Sequence, residues 1–260
     1  MTSAKDQYFS KTLEKGLAIL NLFNLDQSFL TLSEISRLSG INKTSTYRLT
    51  NTLVQLGYLK KNTRNKLLSL GPRAFVLGHY FFHGFNLLQS LKPIIDKNFF
   101  EHKISVDSAL FHENSLISLY RREMPNLIHF RLPLIMFKLY ARAMGKAVLA
   151  NLEEPELNDF LNSVKLKKLT PYTRVDKQDI LDDIQLTKNR GYSINNQEYV
   201  KGLICIGAPL INHNCNRVVG AVSLDFTTAE FSLEDIQHNF PQILTKLANE
   251  CSDIITSVDY

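Results

Sequence analysis

The sequence predicts an α+β protein in two unlike parts: a short helical region closed by a small hairpin, then a longer region in which helices flank a mixed, largely antiparallel sheet. Three observations predict it. The chain has 260 residues, which at about 150 residues per domain suggests two domains. Residues 1–85 hold eleven Lys and Arg against four acids, a net +7, while residues 86–260 hold nineteen bases and twenty-one acids, a net −2. Apolar residues recur at helical spacing in the first third, whereas β-rich runs bounded by turn residues recur further on. The composition, 44% hydrophobic and 21% charged, is ordinary for a globular chain and argues against disorder, collagen or coiled coil for its bulk. No apolar run approaches the roughly 18 residues of a membrane helix. The start, MTSAKDQYFS, lacks the apolar core of a signal peptide. A cytoplasmic protein without membrane association is therefore expected. Cys205, Cys215 and Cys251 cannot all pair and none sits in a CxxC, so neither a disulfide framework nor a structural zinc site is expected.

The elements of the first part follow in order. Leu13, Leu17, Leu20 and Phe23, widened by Ala18 and Ile19, form the apolar stripe of a first helix that ends before the polar run Asn24–Ser28. Thr31 stands three residues before Glu34, the spacing of a capping box, and opens a second helix with Leu32, Ile35 and Leu38 inward. Gly40 supplies the positive φ of a tight turn. Asn42 is a suitable N-cap for a third helix to about Leu56, with Leu49, Leu53 and Leu56 inward. Tyr58–Lys61 and Lys66–Leu70, joined by the polar turn Asn62–Asn65, read as a two-stranded wing.

Helix, glycine turn, helix and wing make a winged helix-turn-helix, and the charge distribution points to a polyanion. No carboxylate lies between Glu34 and Asp96, while nine Lys and Arg do. Ile35 and Ile41 flank the turn, Ser36 lets the helices approach, and Leu49 anchors the third helix. The outward start of that helix presents Lys43, Thr44, Ser45, Tyr47 and Arg48, donors suited to phosphates and base edges in a major groove. Lys60, Lys61, Arg64 and Lys66 near the wing tip can straddle the backbone. A plain helical bundle with a solvated basic face competes with this reading. The spacing, the wing and the absent acids favour double-stranded DNA.

Residues 72–91 read as a mainly helical connector carrying Phe75, Leu77, Phe81, Phe82 and Phe85, with Gly78 and Gly84 as points where it can kink. So apolar an interdomain helix must bury its rings, and a partner subunit is one way to do so. His79 and His83 stand at i,i+4 without an HExxH glutamate or a third ligand, so no metal is expected. A helix is expected from Leu91 to about Lys103, with Ile94, Ile95, Phe99 and Phe100 buried. Val106–Phe111 and Leu116–Tyr120 flank Glu113-Asn114 as a hairpin, with a further strand near Leu127–Leu132. Helices follow at Ala143–Ala150 and Asp179–Lys188, the second closed by Arg190-Gly191. Leu203–Ile211 and Val218–Phe226 read as strands parted by the turn-prone His213–Asn216. A last amphipathic helix spans about Leu233–Ile255. The sum is α+β, GAF-like. The chain divides into residues 1–71, the winged helix-turn-helix; 72–90, a linker helix; and 91–260, a second domain, to which the family resemblance described next assigns effector binding and oligomerisation.

The second part carries no GxSxG elbow, P-loop, GxGxxG or metal-ligand cluster. Cys205, in a β-rich run with no assignable His partner, reads as a small hydrophobe. No catalytic residue and no cofactor is expected. The segments TLEKGLAILNLF and LSEISRLSGINKTSTYRLTNTLVQLGYL, with the hairpin ending LGPRAFVLG, resemble the IclR family of bacterial transcriptional regulators. RAMGKAVLA, RGYSINNQEYVKGLICIGAPL and VVGAVSLDF extend the resemblance, which runs from about Thr12 to Phe226. It implies a winged helix-turn-helix, a linker helix and a GAF-like effector-binding domain, in dimers or tetramers that bind palindromic operators and respond to small metabolites.

The resemblance also implies an effector cleft lined by the segment before the GKA helix and by the later Cys-bearing strand. Carried over residue by residue, it gives Tyr140, Arg142, Ala143, Met144, Gly145, Asn195, Cys205 and Ser223, with Glu198 and Gly202 either contacts or structural. Asn195 stands where the family often has an acid, Tyr140 where His is common, and Arg142 where Thr or Ser is common. An arginine gained and an acid lost make the pocket more cationic. That points to a small carboxylate at the start of the Ala143 helix, where free N–H groups and the helix dipole favour an anion. Arg142 turned to solvent or paired with an acid is the alternative. The expected function is a sequence-specific transcriptional regulator, homodimer or homotetramer, whose binding to a pseudo-palindromic operator is controlled by a small anionic effector. A small-metabolite-binding protein or enzyme with an accessory basic domain is the competing function.

Overall fold

Side-chain caps set the helical frame of the first part in the computed structural model, which describes residues 8–24, 27–84, 86–125 and 134–258. The chain divides into two units, Met1–Phe85 and Asn86–Tyr260. In the first, Ser10 accepts from the Leu13 N–H to open α1 (Lys11–Leu20). Thr31 and Glu34 form the full capping box of α2 (Leu32–Ser39), which ends at Gly40 with φ 69°. Asn42 accepts from the Ser45 N–H to open α3 (Lys43–Gln55). β1 (Leu59–Lys61) pairs with β2 (Leu68–Leu70), and Leu30 bridges to Leu68 outside them. α4 (Pro72–Gly84) closes the unit.

The core of this unit is Ile19, Phe23, Leu30, Ile35, Ile41, Leu59 and Leu68. The α1 stripe expected from the sequence is rotated. Leu13 and Leu17 are 62% and 52% exposed, and the buried face runs through Gly16 and Ile19 to Phe23. Leu38 and Leu56 are also exposed, while Leu49 and Leu53 are half-buried against the core. α3 buries Thr46 and Thr50 instead. Their hydroxyls donate to the carbonyls of Asn42 (3.0 Å) and Thr46 (2.8 Å), so burial leaves neither unsatisfied. α4 passes through Gly78 without a break and exposes Phe75, Leu77 and Tyr80. The side chains of Phe81, Phe82, His83 and Phe85 lie outside the described residues, as does the strand expected at Leu127–Leu132.

In the second unit α5 (Asn86–His102) begins five residues before the expected Leu91. Its buried face is Leu87, Leu88, Leu91 and Ile95, while Phe100 is exposed and Ile94 and Phe99 are half-buried. The strands are β3 (Ser105–His112), β4 (Ser115–Arg122), β5 (Ile135–Met136), β6 (Ser193–Asn196), β7 (Leu203–Asn212) and β8 (Arg217–Thr227). Among the described residues they form one antiparallel sheet in the order β5-β4-β3-β8-β7-β6. α6 (Ala143–Leu149) rests on β7 and β8 with α8 (Lys177–Arg190) against it, and α10 (Pro241–Ser257) packs on the sheet with α5. Helices on both sides explain why β3, β7 and β8 are almost wholly buried.

Four features depart from expectation. A 3₁₀ turn (Leu139–Ala141) precedes α6, α7 (Glu154–Ser163) follows it, and β6 adds an edge strand. The last helix is two, α9 (Leu233–Asn239) and α10, because Pro241 lacks an N–H and starts a new helix at its first turn. Phe240 at the break packs its ring 4.8 Å from that of Phe226.

Candidate functional site

The first unit presents a basic face assembled from α3 and the wing. Lys43, Thr44, Tyr47 and Arg48 are exposed, and Ser45 is half-buried with its N–H held by Asn42 Oδ1 at 2.9 Å. Lys60, Lys61, Arg64 and Lys66 are all exposed on the wing. The wing tip is shaped by its own asparagines: Asn62 Oδ1 accepts from the N–H groups of Arg64 (2.9 Å) and Asn65 (3.3 Å). A groove joins helix and wing, with Tyr47, Thr50 and Asn51 on one wall and Lys61 and Lys66 on another. Asn51 escaped the sequence reading, although it lies one turn beyond Tyr47 on the same helix face. Glu34 lines no part of this groove. Its carboxylate is turned back onto Thr31, whose N–H and hydroxyl hold it below the ordinary carboxylate range.

The second unit carries a small polar pocket, and sheet register explains its lining. Asn195, Cys205 and Asp225 stand opposite one another across β6, β7 and β8. Ser193, Gly207, Ser223 and Asp107 form the neighbouring row, ending on β3. Opposed residues, and those two apart, project to one face. The start of α6 presses onto this face because Gly207 has no side chain: a Cβ there would lie 2.7 Å from the Ala143 carbonyl carbon. Ser193 donates to the Ala143 carbonyl at 2.6 Å. The cavity left between them is about 30 Å³, room for little more than a water molecule. Asp107, Arg142, Ala143, Met144, Asn195, Tyr199, Leu203, Cys205, Ser223 and Asp225 line it.

Arg142 and the two acids dominate its electrostatics. Arg142 is 7% exposed. Its guanidinium lies 3.6 Å over the Tyr199 ring, and its Nε donates to the Phe137 carbonyl at 3.1 Å. Burial lowers its pKa, and Tyr199 and then Asp107 oppose that shift. Asp107 is 1% exposed, with one oxygen 3.4 Å from Arg121 and the other, Oδ1, without a hydrogen-bond partner among the described residues. Burial first, and then the nearby Asp225, pushes its carboxyl up to about 7. Asp225 accepts from the Ser223 hydroxyl at 2.9 Å. Burial and Asp225 drive the Cys205 thiol well above its ordinary range, so it stays protonated at neutral pH.

Six of the eight residues expected at this site line the pocket, and two do not. The Tyr140 hydroxyl turns away, donating to the Lys167 carbonyl (3.0 Å) and accepting from the Lys167 N–H (2.9 Å). Gly145 is a packing residue, since a Cβ there would lie 2.3 Å from the Leu139 oxygen. Asn195 is an amide for a structural reason. It donates to the Ala141 carbonyl (3.1 Å) and accepts from the Glu198 N–H (2.8 Å), and an ionised acid cannot do the first. The expectation of a cationic pocket is corrected by Asp107 and Asp225, which the sequence reading passed over. Each is the one acid of its strand, which was the available signal.

Beneath α6 lies a buried ionic cluster. Lys146, 2% exposed, reaches Asp183 (2.7 Å), Glu198 (2.5 Å) and the Ile194 carbonyl (3.0 Å). Arg174 reaches the same two acids at 3.5 and 2.7 Å. Glu198 therefore ties the β6–β7 loop to α6 rather than facing the pocket, and Gly202 takes φ 84° in that loop. Among the described residues no group of three or more His, Cys, Asp or Glu is arranged for a metal. No described helix is long and apolar enough to cross a membrane.

Residues 12–63 match the IclR helix-turn-helix domain, and residues 79–253 match the family described as bacterial transcriptional regulator IclR C-terminal. The HTH-type transcriptional regulator XynR of Escherichia coli (strain K12) is 26% identical over 221 residues, 84% of this chain and 87% of that protein. A putative IclR transcriptional regulator from Silicibacter sp. superposes with a TM-score of 0.83 at 22% identity, covering 94% of this chain and 96% of its own. An IclR homolog from Microbacterium hydrocarbonoxydans, complexed with 4-hydroxybenzoate, gives 0.76 at 18% identity over 95% of this chain and all of its own (100%).

Proposed function

Because this chain belongs to the IclR family of bacterial transcriptional regulators, we propose that it seats α3 in the major groove of a DNA operator with the wing on the adjacent backbone. Lys43, Thr44, Ser45, Tyr47 and Arg48 then meet bases and phosphates, and Lys60, Lys61, Arg64 and Lys66 meet phosphates. The observation that carries this is the exposed basic face on which helix and wing border one groove without a carboxylate. A small carboxylate held by Arg142 controls operator binding. The buried guanidinium supports this, as does the 4-hydroxybenzoate bound by the Microbacterium relative. With only about 30 Å³ free, the pocket admits such a ligand when Arg142 or Tyr199 yields.

The protein works in the cytoplasm as a homodimer or homotetramer on a pseudo-palindromic site, and it catalyses no reaction. Exposed Phe75, Leu77 and Tyr80 on α4, with Leu13 and Leu17 on α1, support self-association. The test is titration of its own upstream DNA against bulk DNA over a range of salt. Regulation predicts preference for the upstream fragment and a log–log salt slope of about −0.9 per phosphate contacted. Equal affinity for both DNAs at every salt concentration refutes it.

A further inference from the structure

We propose that the effector is a compact zwitterion, with its carboxylate at Arg142 and its protonated nitrogen at Asp107 and Asp225. The proposal rests on the pocket being the effector site and goes on to specify the ligand's second pole.

The pocket is bipolar. At one end Arg142 stacks on Tyr199, and among the described residues it makes no ion pair within 4.0 Å. At the other end Asp107 and Asp225 share Arg121, at 3.4 and 3.9 Å, as their ion-pair partner within 4.0 Å among the described residues, Arg121 also serves Glu123 at 3.3 Å, and Arg142 acts on both acids only from beyond ion-pair distance. Within ion-pair distance one guanidinium thus serves three carboxylates, and Asp107 loses its proton fully only when a further cation arrives. Asp107 lines the cavity, and its buried Oδ1 has no hydrogen-bond partner of ordinary geometry among the described residues, the Ser108 N–H being the backbone donor that bears on the carboxylate. A buried acceptor left unmet is rare and calls for a donor. A ligand hydroxyl supplies the hydrogen bond but leaves the surplus negative charge, whereas an ammonium supplies both. With about 30 Å³ free, a compact ligand asks the least yielding of Arg142 and Tyr199.

The charge state of Asp107 supports the assignment. Facing it are Asp225 from β8, Arg121 from β4, Cys205 from β7, Tyr199 from the β6–β7 loop and Arg142 from the lead into α6. Burial and Asp225 hold its carboxyl near half-protonation at neutral pH. An arriving ammonium expels that proton, so affinity rises with pH through this range.

The test is calorimetry on the full chain at about pH 6 and about pH 8. The probes are glycine and β-alanine as zwitterions, propanoate and 1-aminopropane as single-headed analogues, and 4-hydroxybenzoate as a check of the site alone. One zwitterion is expected to bind at least about tenfold tighter than propanoate, as a charge-assisted hydrogen bond supplies, and tighter still at the higher pH. Asp107→Asn, or Asp225→Asn should the first fold poorly by its melting curve, removes the preference for the zwitterion over propanoate. Propanoate binding as tightly as the zwitterions, with Asp107→Asn silent, overturns the zwitterion and keeps the site. Silence of every small probe while 4-hydroxybenzoate binds does the same. Zwitterion binding indifferent to both Asp107→Asn and Arg142→Ala overturns the site reading itself.

Discussion

Replacing Lys146 with Met removes the ammonium that joins Asp183, Glu198 and the Ile194 carbonyl while keeping most of the side-chain volume. Among the described residues two buried carboxylates then keep Arg174 alone as an ion-pair partner, and its side chain is 40% exposed and screened by solvent. Breaking a buried pair from one side costs about 3–5 kcal/mol, because the remaining charge stays desolvated. Arg174 offsets part of this, so about 3 kcal/mol is expected. For a domain of this size each 1 kcal/mol lowers Tm by about 2–4 °C, which places the shift near 6–12 °C. Differential scanning calorimetry, read on the transition of the second unit, measures it. Adding Glu198→Gln and Asp183→Asn to Lys146→Met should recover much of the loss, since the desolvated charges go as well. A shift under about 2 °C in the single variant, or a further loss in the triple variant, refutes the view that this cluster clamps α6 to α8 and the β6–β7 loop.

Further outcomes follow from the same geometry. Asp107 has a folded-state pKa of about 7, above its ordinary 3.8, so between these values the folded state holds a proton that the unfolded state has lost. Its contribution to stability therefore falls as pH rises through this window, by up to about 1.4 kcal/mol per pH unit, and urea melts of Asp107→Asn should show a flatter profile. Gly207→Ala forces the start of α6 off β7, costing about 1–3 kcal/mol and disrupting the pocket, which thermal melts and ligand titration both read. Phe75→Asp with Leu77→Asp should shift sedimentation from dimer or tetramer toward monomer, and an unchanged profile removes α4 from the interface.

The first unit was legible because its punctuation is local. A capping box at Thr31, a left-handed Gly40, an N-cap at Asn42 and an asparagine-rich wing tip act within a few residues, and each appears where spacing placed it. The face of α1 was not, because leucines at 13 and 17 compete with Gly16 and Ile19 and only tertiary packing decides between them. In the second unit the hairpin and the two long strands were readable, but β6 is short and polar, and α7 has the composition of a loop start. The pocket was half readable. Family motifs located Arg142, Ala143, Met144, Asn195, Cys205 and Ser223. Asp107 lies far away in sequence and joins them only through the β3–β8 pairing. Tyr140 and Gly145 sit in the right segment, but the Tyr140 hydroxyl turns to Lys167 and Gly145 packs against Leu139, which spacing does not reveal.

Reading of DNA by α3 is the central proposal. Fluorescence anisotropy of an upstream DNA fragment, titrated at several salt concentrations with wild type, Lys43→Ala and Arg48→Ala, tests it most directly. Both side chains are exposed, so neither change should alter melting. Loss of a phosphate contact should flatten the salt slope by about one, and loss of a base contact should cost about 1–3 kcal/mol at one position of the site. Both variants binding the fragment as wild type does, at every salt concentration, would contradict the account.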